Sequence, residues 1–258
     1  MTIVFIGAGR LATNLAPALH DAGYDVVQVY SRTMEAAKQL ADRVSALATN
    51  NVDEVKTDAD VYIFSVTDTA LPQLVAKLGN GRKKAVFLHT AGSVPMTVFE
   101  GYANDYGVFY PMQTFSKERS VDFHLIPVFI EGNTGKALNV ARQLAEAVSN
   151  NVKELSSEGR RHLHLAAVFA SNFANHCYAI SEELLRPYGI DFDVMLPLVD
   201  EVAGKVHQLS PREAQTGPAV RYDKTVLEAQ MQLLADKPLF HDIYALMSKS
   251  IHELDKGK

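Results

Sequence analysis

One cysteine, Cys177, is all that 258 residues offer, which excludes an intramolecular disulfide framework and a multi-cysteine zinc site. Positive charge is also scarce. The chain carries −5 overall, with 14 basic against 16 acidic residues up to position 155 and 11 against 14 beyond it. Neither part has the basic balance of a nucleic-acid or anionic-membrane binder. No apolar run reaches membrane-spanning length, and Met1–Ile6 passes straight into a strand-like run with no basic lead. A signal peptide is therefore not expected, and a cytoplasmic location is. What remains, 47% hydrophobic and 21% charged, is the composition of a globular protein long enough for one large domain or two smaller ones.

Strand-like runs rich in Val, Ile, Phe and Tyr recur at 3–6, 25–30, 60–66, 85–89, 107–110 and 127–131. Several lack polar/apolar alternation, as strands buried on both faces do. Helical patterns lie between them at 11–22, 34–44, 70–78 and 134–149. This rhythm predicts an N-terminal Rossmann-type, doubly wound, mostly parallel sheet. It stops after 152–155. From Ser156 onward only amphipathic helical stretches follow, at 157–186, 192–209, 222–234 and 239–254. The expected organisation is an α/β domain over 1–155 and an all-α domain over 156–258. Ser210-Pro211-Arg212-Glu213 reads as a capping-box helix start.

Gly7-Ala8-Gly9-Arg10-Leu11-Ala12 follows the first strand and opens the first helix. The first glycine permits a tight turn and the second lets backbone approach a pyrophosphate. Ala12 is small enough for close helix–strand packing, and the helix N-terminus offers its N–H groups to phosphate. After the second strand a dinucleotide site for NAD usually places an acid on the ribose hydroxyls. The chain instead reads Ser31-Arg32-Thr33. Two hydroxyls and a guanidinium suit a 2′-phosphate, so NADP is the expected cofactor. Other strand ends expected beside the dinucleotide are Val66 and Thr67, then Thr90, Ala91 and Gly92. Pro17, inside the first helix, should bend or distort it.

Other chemistries lack their residues. There is no Gly-x-Ser-x-Gly elbow and no Tyr-x-x-x-Lys pair, and Gly132–Lys136 is too short for a phosphate loop and reads as a turn into a helix. His162 and His164 are two apart with no completing carboxylate, so no metal site is expected. In the long stretch 157–186, His164, Ser171 and Asn175 fall on one stripe at helical spacing, with Asn172 beside it. The stretch is otherwise apolar nearly all round, the pattern of a buried central helix whose polar groups require partners. Thr216–Asp223 is a second cluster, in which Arg221 could clamp an acidic group or merely brace the domain with Asp223.

With these pieces in place, the chain resembles the Rossmann-like oxidoreductases that carry a helical C-terminal domain of unknown function. They belong to the superfamily of pyrroline-5-carboxylate reductase and 6-phosphogluconate dehydrogenase. The resemblance rests on Gly7–Ala12, His89–Ser93, Tyr110–Phe115, His164–Asn172 and Thr216–Asp223. It implies NAD(P) binding and a helical domain that forms a homodimer and closes the active cleft. Hydroxyacid dehydrogenases of the superfamily use a lysine four residues before an asparagine. Here that position is Val168, while Tyr110 stands where histidine is common and Tyr222 where glycine is usual. The expected activity is hydride transfer between NADPH and a small C=O or C=N substrate in the cleft between the domains. His164 is the expected proton donor, with Ser171, Asn172 and Arg221 on the substrate; a catalytically silent dinucleotide sensor is the alternative.

Overall fold

The structure is a computed structural model describing residues 1–79, 81–116, 119 and 121–256. It divides into two compact units, Met1–Asn172 and Phe173–Lys258. The expected boundary after residue 155 falls between the last strand and the helix that follows it. The compact units part 17 residues later, inside a helical segment.

The first unit holds one eight-stranded sheet. Its strands are β1 (Thr2–Ile6), β2 (Asp25–Tyr30), β3 (Leu47–Thr49), β4 (Val61–Phe64), β5 (Val86–His89), β6 (Asp105–Pro111), β7 (Val128–Gly132) and β8 (Val152–Glu154). Their spatial order is β3-β2-β1-β4-β5-β6-β7-β8. Pairing is parallel everywhere except between β6 and β7. The three-residue strands β3 and β8 are the two not among the strand-like runs named above.

Helices cover both faces, which is why the strands lack alternation. Ile3 and Phe5 of β1 join a core with Leu15, Leu19, Leu40, Ala141 and Leu144. These come from α1 (Ala12–Asp21), α2 (Met34–Ala41) and α4 (Gly135–Val148). Val4 and Ile6 point the other way, into a core with Tyr62, Phe64, Phe87, Phe99 and Val75 of α3 (Leu71–Leu78). Each such buried aromatic contributes about 1.5–3 kcal/mol relative to exposure. Thr134 caps α4 by accepting from the Ala137 amide, and Lys136 pairs with Asp105 at 2.9 Å. The Gly132–Lys136 segment is thus the expected turn into a helix.

Pro17 does not break α1. A proline at 17 has no N–H for the carbonyl of Thr13, its i−4 partner. Arg43 Nη1 donates to that carbonyl instead, at 2.7 Å.

The stretch expected as one helix over 157–186 is three pieces. α5 (Ser157–Ala167) passes into a π-helical turn (Val168–Phe173) and then α6 (Ala174–Leu185). Nor is it a buried core: Leu165, Phe169 and Phe173 are 55, 63 and 48% exposed. The second unit continues with α7 (Leu196–Lys205), α8 (Pro211–Ala214), α9 (Pro218–Arg221), α10 (Lys224–Gln232) and α11 (Pro238–Lys256). The capping box at Ser210 and Glu213 is formed. Among the described residues, no helix is long and apolar enough to cross a membrane.

Candidate active site

The strand order reverses between β1 and β4, and there the loops after the two strands part to leave a cleft of about 840 Å3. Gly7 sits at its floor with φ +111°, and its amide donates to the Tyr30 carbonyl at 2.7 Å. A Cβ there would lie 2.2 Å from the Ser65 carbonyl oxygen, so only glycine fits the turn. The amides of Gly9, Arg10 and Leu11 donate to no protein acceptor among the described residues. They open into the cleft at the start of α1, as a pyrophosphate requires.

Ser31, Arg32 and Thr33 line the same cleft beyond β2, and Val66, Thr67 and Thr90–Gly92 line its other side. Arg10 and Arg32 are both exposed, and neither has an ion-pair partner among the described residues. Ala12 alone of the expected cofactor residues does not line the cleft. It is fully buried between α1 and the sheet, the packing role its size allows. The donor set therefore fits a dinucleotide, with free amides at the turn and two exposed guanidinium groups lining the same cleft. Asp68, Gln73 and Lys77 also line the cleft. Asp68 accepts a hydrogen bond from Ser93 Oγ and so ties the loops after β4 and β5 together.

At the far end His164 of α5 meets Tyr110 of β6. Tyr110 Oη and His164 Nδ1 share a hydrogen bond of 3.1 Å, with the rings edge to face. Burial pushes the Tyr110 hydroxyl above its ordinary pKa of 10, opposed by the positive charge of Arg160. Both side chains also line a second cavity of about 500 Å3, together with Gln113, Ser171 and Asn172. His164, Ser171 and Asn172 are thus brought together, although the regular stripe expected of them is not the reason. The π turn adds residues per turn and changes their phase. Val168, where related dehydrogenases have lysine, lines this cavity as well. Arg221 belongs to the second unit, where it ends α9 and is exposed. The next residue, Tyr222, adopts φ +53° and stacks on His252 with ring centroids 4.4 Å apart.

Sequence reasoning missed what holds this end together. Arg160, 1% exposed, pairs with Glu131 of β7 at 2.8 Å and donates to the carbonyls of Ala91 and Val94. Glu131 also accepts from the amide and hydroxyl of Ser157. One guanidinium so fixes α5 to β7 and to the loop bearing Thr90–Gly92. His89, fully buried at the end of β5, accepts the Ala91 amide on Nδ1, while Nε2 has no partner of hydrogen-bonding geometry. Burial, then the charge of Arg160, depress its pKa to about 3; the nearby Pro95 carbonyl offsets this only in part. The signal in the sequence was an arginine four residues before His164 on one helix face and a lone glutamate in a strand.

Comparison with known proteins agrees with this architecture. Residues 2–91 match the family described as NADP oxidoreductase, coenzyme F420-dependent, and residues 126–251 match a domain of unknown function, DUF2520. A crystal structure from Bacteroides fragilis, named a putative NADP oxidoreductase, is 52% identical, covers 98% of both chains and superposes with a TM-score of 0.93. The chain belongs to that family of NADP oxidoreductases, with a dinucleotide-binding N-terminal region and a DUF2520 C-terminal region. The imine reductase of Myxococcus stipitatus, solved with NADP+, is 15% identical with a TM-score of 0.67, covering 100% of this chain and 95% of that one; the likeness is one of fold. A curated relative, the glutamyl-tRNA reductase of Bacillus velezensis, is 27% identical over 207 residues. That match spans 71% of this chain but only 46% of the relative.

Proposed function

We propose that the protein is an NADP-dependent reductase or dehydrogenase acting on a small C=O or C=N compound. The observation that carries this reading is the cavity holding Tyr110, His164, Ser171 and Asn172 beside the dinucleotide cleft, with Tyr110, Gln113 and His164 lining both. Bound NADPH supplies a hydride. The protein supplies the rest. Gly7 and Gly9 let backbone approach the pyrophosphate, and the amides of Gly9–Leu11 bind it. Arg32, with Ser31 and Thr33, holds the 2′-phosphate, which favours NADP over NAD. Arg10 adds positive charge, and Leu11, Val66, Thr67, Thr90, Ala91 and Gly92 form the remaining walls. Ser171 and Asn172 orient the substrate heteroatom by hydrogen bonds. His164, steadied by Tyr110, holds the proton that the reduced heteroatom takes up.

A panel of imines, 2-oxo acids and semialdehydes, followed by NADPH absorbance, tests this. The reading requires turnover that Asn172→Ala abolishes while NADPH binding survives. NADPH binding with no turnover on any member supports the silent sensor instead.

The second unit leaves large apolar side chains in water, including Leu198 and Val202, four residues apart on one face of α7, at 60 and 57% exposure. Such a face is what a homodimer covers. The solution mass on dilution checks it: a dimer is expected, and a monomer at every concentration contradicts it.

A further inference from the structure

Among the described residues, the cavity of about 500 Å3 has no Asp, Glu, Lys or Arg side chain in its lining. Its polar atoms belong to Tyr110, Gln113, Thr114, His164, Ser171 and Asn172, and the rest of its wall is Met112, Leu163 and small or branched aliphatics of 166–170. The Ser171 and Asn172 side chains make no hydrogen bond to protein among the described residues, so they are available to a ligand. Of the two guanidiniums on α5, that of Arg161 is exposed and does not line the cavity, and that of Arg160 is not available. Arg160 is 1% exposed and committed to Glu131 and two backbone carbonyls. Arg10 and Arg32 line the other cleft and do not line this cavity.

A carboxylate or phosphate moved from water into such a place loses its hydration and meets no Lys or Arg, only the His164 proton that the reduction itself consumes. A ketone, aldehyde or imine loses little, because hydroxyl and amide donors replace its water and the aliphatic wall takes its body. Resting on the reductase reading above, we propose that the substrate is an uncharged carbonyl or imine compound with an apolar body, and that the cavity discriminates against 2-oxo acids and other anionic substrates. This sets aside the expectation that Arg221 clamps an acidic group on the substrate.

Phenylacetone and phenylpyruvate form a matched pair, sharing the benzyl ketone and differing in methyl against carboxylate. Calorimetric titration of each into the NADP+-loaded protein is expected to show phenylacetone binding at least about tenfold tighter, a difference of about 1.4 kcal/mol. Gln113→Arg, which places a cation at the cavity wall, is expected to shrink or invert that ratio. Equal or tighter binding of phenylpyruvate overturns the inference, and loss of that preference in Arg221→Ala would identify the clamp responsible. Failure of both ketones to bind overturns it as well. Parallel NADPH-oxidation assays separate the two readings. Phenylacetone bound as expected but never reduced leaves the substrate class standing and removes the reductase reading; turnover of phenylpyruvate alone does the reverse.

Discussion

His164 fills the space that a side chain on Gly92 would need: a Cβ at Gly92 would lie 2.5 Å from His164 Nδ1. The same nitrogen shares the Tyr110 hydrogen bond, so the loop after β5, the end of β6 and α5 meet at one imidazole. Gly92→Ala must push that ring away. Displacements of this size at a reacting group cost about 10²-fold in rate. The expected result in steady-state assays is a kcat reduced by about that factor.

The Arg160–Glu131 pair makes a second, thermodynamic prediction. Both side chains are largely out of water, at 1% and 14% exposure. Removing one partner strands the other charge, which costs about 3–5 kcal/mol for a buried pair. Arg160→Met should lower the urea midpoint accordingly. Arg160→Met with Glu131→Gln should recover part of the loss, because no full charge is left unpaired.

His89 gives the fold a pH dependence whose sign is fixed. Its folded pKa of about 3 lies below the ordinary 6.5. Between those values the unfolded chain binds a proton that the folded chain does not, so stability rises with pH across that window. It is lost as pH falls from about 6.5, by at most about 1.4 kcal/mol per pH unit. His89→Asn keeps an acceptor for the Ala91 amide and removes the titration. Denaturation at a series of pH values should give a flatter curve for the variant between about pH 4 and 6.5.

Arg43 and Pro17 are coupled through the Thr13 carbonyl. Arg43→Ala should cost about 0.5–1 kcal/mol, the net worth of an exposed hydrogen bond to a charged donor. In a Pro17→Ala background, residue 17 regains an N–H for that carbonyl, and the effect of Arg43→Ala should shrink. A double-mutant cycle by thermal or urea denaturation measures the difference.

Much of this was legible because it is local. Apolar runs without alternation announced a sheet covered on both faces, and Gly7–Ala12 declared its turn because only a strand–glycine–helix order suits it. The three-residue β3 is too short to carry a pattern. What stayed hidden depends on contacts far apart in sequence. Nothing local joins Tyr110 to His164, 54 residues on, or Glu131 to Arg160. Arg160 and Glu131 are charged residues of the kind usually solvated, and each is buried only because the other is. The 157–186 stretch misled for a physical reason too. Apolar content all round predicts burial, yet Leu165 and Phe169 stay exposed. The π turn, which sets the facing of Ser171 and Asn172, has no signature in residue spacing.

We propose that Arg32, standing where an acid would mark an NAD site, makes the cleft one for NADP. Fluorescence titration of NADPH and NADH into the wild type and Arg32→Ala tests it directly. The wild type is expected to bind NADPH more tightly than NADH, with the variant losing at least about tenfold for NADPH and almost nothing for NADH. Equal affinity for both dinucleotides, unchanged by Arg32→Ala, would contradict it.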